Sequence, residues 1–422
     1  RYGTPVTRID RPGEVFEVHT LGGVRQAPVV VVATGLGVPW RPDIPGIEHA
    51  EGYDEVSVDP RDFVDQRVLV IGKGNSAFEL ANGLVSTARV IHLCSPNPVR
   101  LAWQTHYVGH LRAVNNDILD SYQLKSQNAV LDAVIERIEP VPRPGRPRPE
   151  YRVSLAYRHA HGEREQLVYD RIIACTGWRF DDSIFADACR PDATINPSSA
   201  GQGEGKLPAI TPSFESTRVP GLFFAGSLTA ARGYGHNTSA FIHGARYNAL
   251  ALHRVLRRRL HGEPWPSQAL EARPAALAEA TLARVNRSSA MWQQFGYIGD
   301  VICLHGASPR LLPDVPLDLV EAGLDDVPGP YCTVTLEYGA RPAPDPFAIE
   351  RVHREDVARA HESQFLHPIV RHFDAGGRRL AEHHVIEDLA AEWREPVHLQ
   401  PLVRFFERVV AGGALRGSAG DA

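Results

Sequence analysis

Six consecutive residues, Gly72-Lys73-Gly74-Asn75-Ser76-Ala77, carry the pattern G-x-G-x-x-A. An apolar run, Arg67-Val68-Leu69-Val70-Ile71, precedes them, and a segment with helical periodicity follows, with Phe78, Ala81, Leu84 and Val85 on one face. In that setting each small residue has a chemical reason. The first glycine permits a tight turn, and the second lets the backbone approach a pyrophosphate. Ala77 lets the helix pack closely on the strand, and the helix N-terminus faces the anion. An NAD site would place Asp or Glu about 20 residues further on, at the end of the next strand. That strand, Arg89-Val90-Ile91-His92-Leu93-Cys94, instead runs into Ser95, with Arg100 close behind, and no acidic residue occurs between Glu79 and Asp117. A carboxylate repels a 2′-phosphate, whereas a guanidinium binds it. Gly72, Gly74, Asn75, Ser76, Ala77, Ser95 and Arg100 are therefore expected to bind a dinucleotide, with NADPH favoured over NADH.

The elements around these residues repeat. Val15-Phe16-Glu17-Val18-His19-Thr20 leads through Gly22-Gly23 to Val29-Val30-Val31-Val32-Ala33-Thr34-Gly35. Tyr151-Arg152-Val153-Ser154-Leu155 leads through a polar turn to Ile172-Ile173-Ala174-Cys175-Thr176-Gly177. Strand, turn, buried strand and Thr-Gly recur in one order, which suggests two related nucleotide-binding units. Pro220-Gly221-Leu222-Phe223-Phe224-Ala225-Gly226-Ser227 reads as a further buried strand ending in a small-residue turn. From Gly233-Tyr234-Gly235-His236-Asn237-Thr238-Ser239 a helix is expected to open and to run to about Leu256. Trp265, between two prolines, marks a boundary. Beyond it lie an Ala-rich helix, a strand at 331–338 and polar helices near the end.

The chain has 422 residues, too many for one ordinary domain. Its 43% hydrophobic and 23% charged residues exclude dominant disorder. No run approaches about 20 uninterrupted apolar residues, so no membrane span is expected. A net charge of −5 argues against a general nucleic-acid binder. The five cysteines, at 94, 175, 189, 303 and 332, form no C-x-x-C pair, and His383-His384 lacks a third ligand at readable spacing. No metal site is assigned.

Two Thr-Gly strand ends, a central G-x-G-x-x-A and a late Gly-Leu-Phe-Phe-Ala-Gly turn resemble the two-dinucleotide-domain flavoproteins. The string Gly72-Lys73-Gly74-Asn75-Ser76-Ala77-Phe78-Glu79 is more similar to their flavin-containing monooxygenase branch than to the disulfide reductases. More closely, four features resemble the FAD-dependent oxidoreductase-domain family, which includes the endoplasmic-reticulum flavoprotein associated with degradation. They are Trp103-Gln104-Thr105-His106-Tyr107-Val108-Gly109, Asn115-Asn116, Asp120-Ser121-Tyr122-Gln123-Leu124-Lys125-Ser126 and Phe241-Ile242-His243-Gly244. The resemblance covers residues 1 to about 260 and extends less specifically to Leu336-Glu337-Tyr338-Gly339.

The resemblance implies an α/β protein with two Rossmann-like dinucleotide-binding domains, the first incomplete, and a C-terminal α+β extension. Residues 1–38 and 179–262 would form the FAD-binding part, 39–178 the NADPH-binding domain and 263–422 the extension. FAD and NADPH are the implied cofactors. Ala33, Thr34, Gly35, Gly226 and Ser227 would lie on the FAD side, although the superfamily often has Asp where Ser227 stands. Gly235, His236, Asn237 and Ser239 would cap the helix pointing at the flavin ring. The family's N-terminal G-x-G-x-x-G is absent. The chain starts at Arg1 and has Met291 as its single methionine, so it is read as lacking its beginning. On that reading the chain alone should be colourless or poorly soluble.

The implied activity is hydride transfer from NADPH to flavin, followed by monooxygenase-like oxidation of a nitrogen or sulfur nucleophile. No catalytic residue and no substrate is named, and the location expected is cytoplasmic. Two alternatives stay open: a thiol–disulfide oxidoreductase, which needs a redox cysteine pair, and a non-enzymatic binding protein on a flavoprotein scaffold. His106, Tyr107, Arg112 and Asn115 are read as a solvated loop that could also face substrate.

Overall fold

A computed structural model describes residues 2–120, 128–145, 148–194, 205–306, 308–339, 345 and 348–414, the side chains of 413 and 414 excepted. The quoted string 120–126 lies, beyond Asp120, outside the described residues. The chain divides into two units: Gly37–Arg179, and Arg1–Leu36 together with Phe180–Ala422.

Residues 6–27 form a three-stranded antiparallel meander, β1 (Val6–Asp10), β2 (Phe16–Thr20) and β3 (Gly23–Ala27), which buries Ile9 and Phe16. The valine run that follows gives β4 (Val30–Val32). Strand β5 (Leu36–Pro39) lies where the chain passes into the Gly37–Arg179 unit.

In that unit the elements are β6 (Glu51–Gly52), β7 (Arg67–Ile71), α1 (Asn75–Leu84), β8 (Val90–Ser95) and the one-turn helix α2 (Ala102–Thr105). Strands β9 (Ala129–Val141), β10 (Glu150–Tyr157), β11 (Arg164–Tyr169) and β12 (Arg171–Ala174) complete it. They form one sheet in the order β11-β10-β9-β8-β7-β12-β6. Strands β9, β8, β7, β12 and β6 are mutually parallel, while β9, β10 and β11 run antiparallel as a second meander. Short connections from β7 through α1 to β8 leave parallel pairing as the available solution, as expected from sequence. Helix α1 buries Ala77, Phe78, Ala81 and Leu84 against Val68, Val70, Ile91 and Leu93. Burial of this kind stabilises by about 25 cal/mol per Å² of apolar surface.

After β13 (Trp178–Phe180) the chain returns to the other unit, where β14 (Leu222–Phe224) pairs in parallel with β4. Each meander is thus followed by a strand in a parallel pairing, and each such strand leads into Thr-Gly. Helix α3 (Ile242–His261) begins at Ile242 with Phe241 as its N-cap, not at 233–239. Thr238 and Ser239 are turned inward to Gln294, and Asn237 binds within the turn to Arg232 O and Ser239 N–H, so none of the three caps it.

The remaining elements are β15 (Gln268–Ala269), α4 (Pro274–Val285), α5 (Ser289–Gln293), β16 (Ile298–Cys303), β17 (Arg310–Pro316) and α6 (Leu317–Glu321). Then come β18 (Tyr331–Glu337), β19 (His367–Phe373), β20 (Arg379–His384) and α7 (Pro396–Val409). Strands β15-β17-β16-β18-β19-β20 form an antiparallel sheet. In place of a run of polar helices, residues 367–373 and 379–384 are its last two strands. Trp393, Phe405 and Phe406 pack with Leu277, Leu282 and Val334 on one core of this sheet. Val301, Leu312 and Trp265 belong to another core, which they share with Phe16, Phe223 and Leu252.

Candidate functional site

The carboxyl ends of β7 and β12 are adjacent, and the chain leaves β7 toward β8 on the opposite side of the sheet. That is a topological switch point, where open α/β sheets bind ligands. Gly72 sits there with φ +127°, and its N–H donates to Cys94 O at 2.9 Å. A Cβ at Gly72 would stand 2.3 Å from Cys175 O, so the protein's own packing demands glycine. Gly74 is different. It is the N-cap of α1, with φ −88° and no side-chain cap, and a Cβ there would meet nothing within 4 Å. Among the described residues nothing requires glycine at 74, and the backbone is open to an incoming group. Among the described residues the N–H groups of Gly74, Asn75 and Ser76 have no hydrogen-bond partner. These two observations fit a dinucleotide pyrophosphate. Ser76 also lines a small pocket with Tyr53, Asp54, Cys175, Gly177 and Trp178.

The Asn75 side chain does structural work. Its Nδ2 donates to Gly109 O (3.3 Å) and His110 O (2.7 Å). Its Oδ1 accepts from Arg112 N and from Asn115 Nδ2, both at 3.0 Å. The 109–115 segment is therefore tied to the start of α1, and Asn115 is buried rather than solvated. His106 has φ +58°, and burial lowers its pKa.

Sequence reasoning missed Lys73 and Asp132. The Lys73 side chain is 4% exposed, and its ammonium forms an ion pair with the Asp132 carboxylate. It also donates to Ser95 O at 3.1 Å and Asn97 O at 3.2 Å. Asp132 lies on β9 in register with Ser95, so an acid does adjoin the end of β8. It comes from the neighbouring strand, 37 residues along, where spacing within one β-α-β unit gives no signal. Arg100 has an exposed side chain, and its carbonyl accepts from Leu111 N–H at 2.9 Å.

In the other unit the carboxyl ends of β4 and β14 bring Thr34-Gly35 beside Gly226-Ser227. A Cβ on Gly35, whose φ is +71°, would touch Ser227 Oγ at 3.4 Å. Gly226, at φ +68°, faces open space. Ala33 and Thr34 are exposed. These positions fit one edge of a flavin nucleotide; among the described residues, no strand–G-x-G-x-x-G–helix accompanies them. Gly235 and His236 lie in the 233–241 turn, Gly235 at φ +80° and His236 exposed.

Asn237 and Ser239 are buried. Asn237 Nδ2 donates to Arg232 O at 2.7 Å, and its Oδ1 accepts from Ser239 N at 3.0 Å. Asn248 Nδ2 donates to Thr229 Oγ1 (2.8 Å) and Ser239 Oγ (2.9 Å). Gln294 closes the network, its Nε2 donating to Asn248 Oδ1 at 2.9 Å and its Oε1 accepting from Thr238 N at 3.0 Å. A residue after α5 thus holds the turn that leads into α3.

All five cysteines are buried and unbridged. Burial pushes the thiols of Cys94 and Cys303 up to about 11 and that of Cys175 to about 12, and it raises those of Cys189 and Cys332 as well. No helix among the described residues is long and apolar enough to cross a membrane.

Comparison with known proteins fits this geometry. Residues 1–226 match the family model described as pyridine nucleotide-disulphide oxidoreductase. The chain is 35% identical over 459 residues to FAD-dependent oxidoreductase domain-containing protein 2 of Mus musculus, covering 96% of this chain and 67% of that protein. The Danio rerio protein of the same name is also 35% identical, over 470 residues with the same coverage. Among solved structures, the bacillithiol disulfide reductase of Staphylococcus aureus aligns with a TM-score of 0.45 and 16% identity, over 61% of this chain and 70% of that one. By the family match and the two vertebrate relatives, the chain belongs to the pyridine nucleotide-disulphide oxidoreductases, a family of flavin-dependent oxidoreductases.

Proposed function

We infer that this chain works as an FAD- and NADPH-dependent oxidoreductase that oxidises a nitrogen or sulfur nucleophile. The observation that carries the dinucleotide part of the reading is the contrast at the switch point, and the oxidation of a nitrogen or sulfur nucleophile rests on the monooxygenase-like motif at 72–79. Gly72 is glycine for the protein's own packing, and Gly74 is glycine with nothing among the described residues to require it. On this reading the N–H groups of Gly74, Asn75 and Ser76 receive the NADPH pyrophosphate, and Ser95 and Arg100 adjoin its adenosine end. Asn75 holds the 109–115 segment against the start of α1 and so keeps those donors in place. Thr34-Gly35 and Gly226-Ser227 form the part of the FAD site that this chain contributes, and the Gln294 network fixes the turn beside it. When bound, the two cofactors supply a hydride and its acceptor, and the protein's part is to position them and exclude water.

The thiol–disulfide alternative lacks support, since an exchange thiol needs access and a lowered pKa, and all five thiols here are buried with raised ones. The test is anaerobic mixing of the FAD-reconstituted protein with NADPH, followed by admission of oxygen with an amine or thioether present. The expected result is bleaching of the flavin bands by NADPH, then formation of the oxygenated product. Retained flavin colour with excess NADPH would contradict the reading. Reduction without oxygenated product would remove the monooxygenase part alone.

A further inference from the structure

The adenosine end of the proposed NADPH site, on whose reading this inference rests, has an unexpected charge arrangement. In a β-α-β dinucleotide site the residue at the end of the second strand meets the ribose 2′-position. Here that strand is β8, ending in Ser95, and Asp132 of β9 stands beside it in register. By position, Asp132 is a carboxylate suited to a ribose 2′-hydroxyl and repellent to a phosphate. Lys73 cancels that charge with a buried ammonium and also ties down Ser95 O and Asn97 O. Prolines at 96 and 98 stiffen the same loop.

The turn between β10 and β11 brings a guanidinium to this place. Arg158 N–H donates to Asp132 O at 3.0 Å, which sets the turn level with the end of β8. The Arg158 guanidinium reaches Asn97, with Nη1 3.4 Å from Oδ1. It is exposed, and among the described residues Asn97 is the one side chain it touches by hydrogen bond or ion pair. His159, 70% exposed, lies with Nε2 3.9 Å from the Asp132 carboxylate. With Asp132 neutralised by Lys73, the free charge over the Pro96-Asn97-Pro98 loop is positive.

We propose that Arg158, reaching over the end of β8 from the β10–β11 turn, reads the 2′-phosphate of NADPH, with Lys73 silencing Asp132 beneath it. Specificity for the phosphorylated coenzyme then comes from a strand pair outside the β-α-β unit that holds the pyrophosphate. A guanidinium suits this task because its planar fork can bind two phosphate oxygens at once.

The test uses calorimetric titration of the full chain with adenosine 2′,5′-bisphosphate and with 5′-AMP, which differ in the 2′-phosphate. Arg158→Ala should weaken the bisphosphate by about 10–100-fold and leave 5′-AMP within about twofold. Arg158→Lys should recover part of the loss. Lys73→Met, which frees the Asp132 charge, should also weaken the bisphosphate selectively. Equal losses for both ligands in Arg158→Ala, or no loss for either, would overturn the proposal. So would a selective loss confined to Arg100→Ala. If the unaltered chain binds neither ligand, the NADPH reading falls and takes this inference with it. If it binds both equally, the dinucleotide site stands and the inference alone fails.

Discussion

Thr176-Gly177 and Thr34-Gly35 end equivalent strands, each following an antiparallel meander, yet the two surroundings differ. Strand β12 lies between β7 and β6 inside a seven-stranded sheet, and all four of its residues are buried. Strand β4 pairs with β14 alone in a two-stranded parallel sheet, and Val31 is 44% exposed. In the first case neighbouring strands create a switch point with a helix N-terminus at its edge. In the second, among the described residues, the strand ends meet without such a helix, and a buried network from Gln294 holds the turn at 233–241. Among the described residues, sheet neighbours surround the first motif, while beside the second long-range polar contacts hold the 233–241 turn.

The largest effect should come from breaking the sheet-supported site from within. Gly72→Ala puts a Cβ 2.3 Å from a backbone carbonyl oxygen and forces φ +127° on an L-residue. A loss of about 4 kcal/mol is expected, read in a denaturant melt, with hydrogen exchange rising in β7 and β12. A stability change below about 1 kcal/mol would show that the turn can relax.

The next effect falls on the other unit and is driven by pH. His383 stacks on Phe405 and is pushed down to about 4, first by burial and then by His384, Arg408 and Arg404. Its neutral form is favoured in the folded state. The unfolded chain therefore takes up a proton first as pH falls below about 6.5. Stability is fully present above that value and declines toward pH 4, by up to about 3 kcal/mol from this residue. His383→Phe should flatten that part of the curve, and an unchanged acid limb would assign the loss to other groups.

A smaller effect is expected from Gln294→Ala, which strands Thr238 N–H and leaves Asn248 Oδ1 without its Gln294 donor. Loss of about 1–3 kcal/mol should follow, with exchange rising over 233–241 and no change around 72–77. If exchange at 233–241 does not rise, Gln294 is not what holds that turn.

The sequence makes the first site legible because its parts are contiguous. Residues 67–95 hold strand, turn, helix and strand with short links, and period and glycine spacing suffice to place them. The recurrence of strand, turn, buried strand and Thr-Gly is legible for the same reason, whereas β3 and β11 lie in what reads as the turns and complete the meanders with β1 and β9. What escapes reading depends on distant partners. Asp132 reaches the end of β8 through strand pairing and Lys73 through burial, and neither leaves a spacing signal. Asn237 and Ser239 look like N-cap residues, but Asn248 and Gln294 draw that segment inward, so α3 starts at Ile242. Strand β16 is disguised by Gly299 and by Asp300, a charge buried against Arg284. The strands at 367–373 and 379–384 mix apolar residues with Arg, His and Glu in no strict alternation, a composition that also fits helix.

The central claim is that Gly74 is glycine for a ligand and Gly72 for the fold. Gly74→Glu tests it most directly, by titrating NADPH into the variant and the unaltered chain and melting both. The account predicts that NADPH binding is lost while the melting midpoint stays within a few degrees of the unaltered chain, since a Cβ at 74 meets nothing. NADPH affinity unchanged in Gly74→Glu would contradict it.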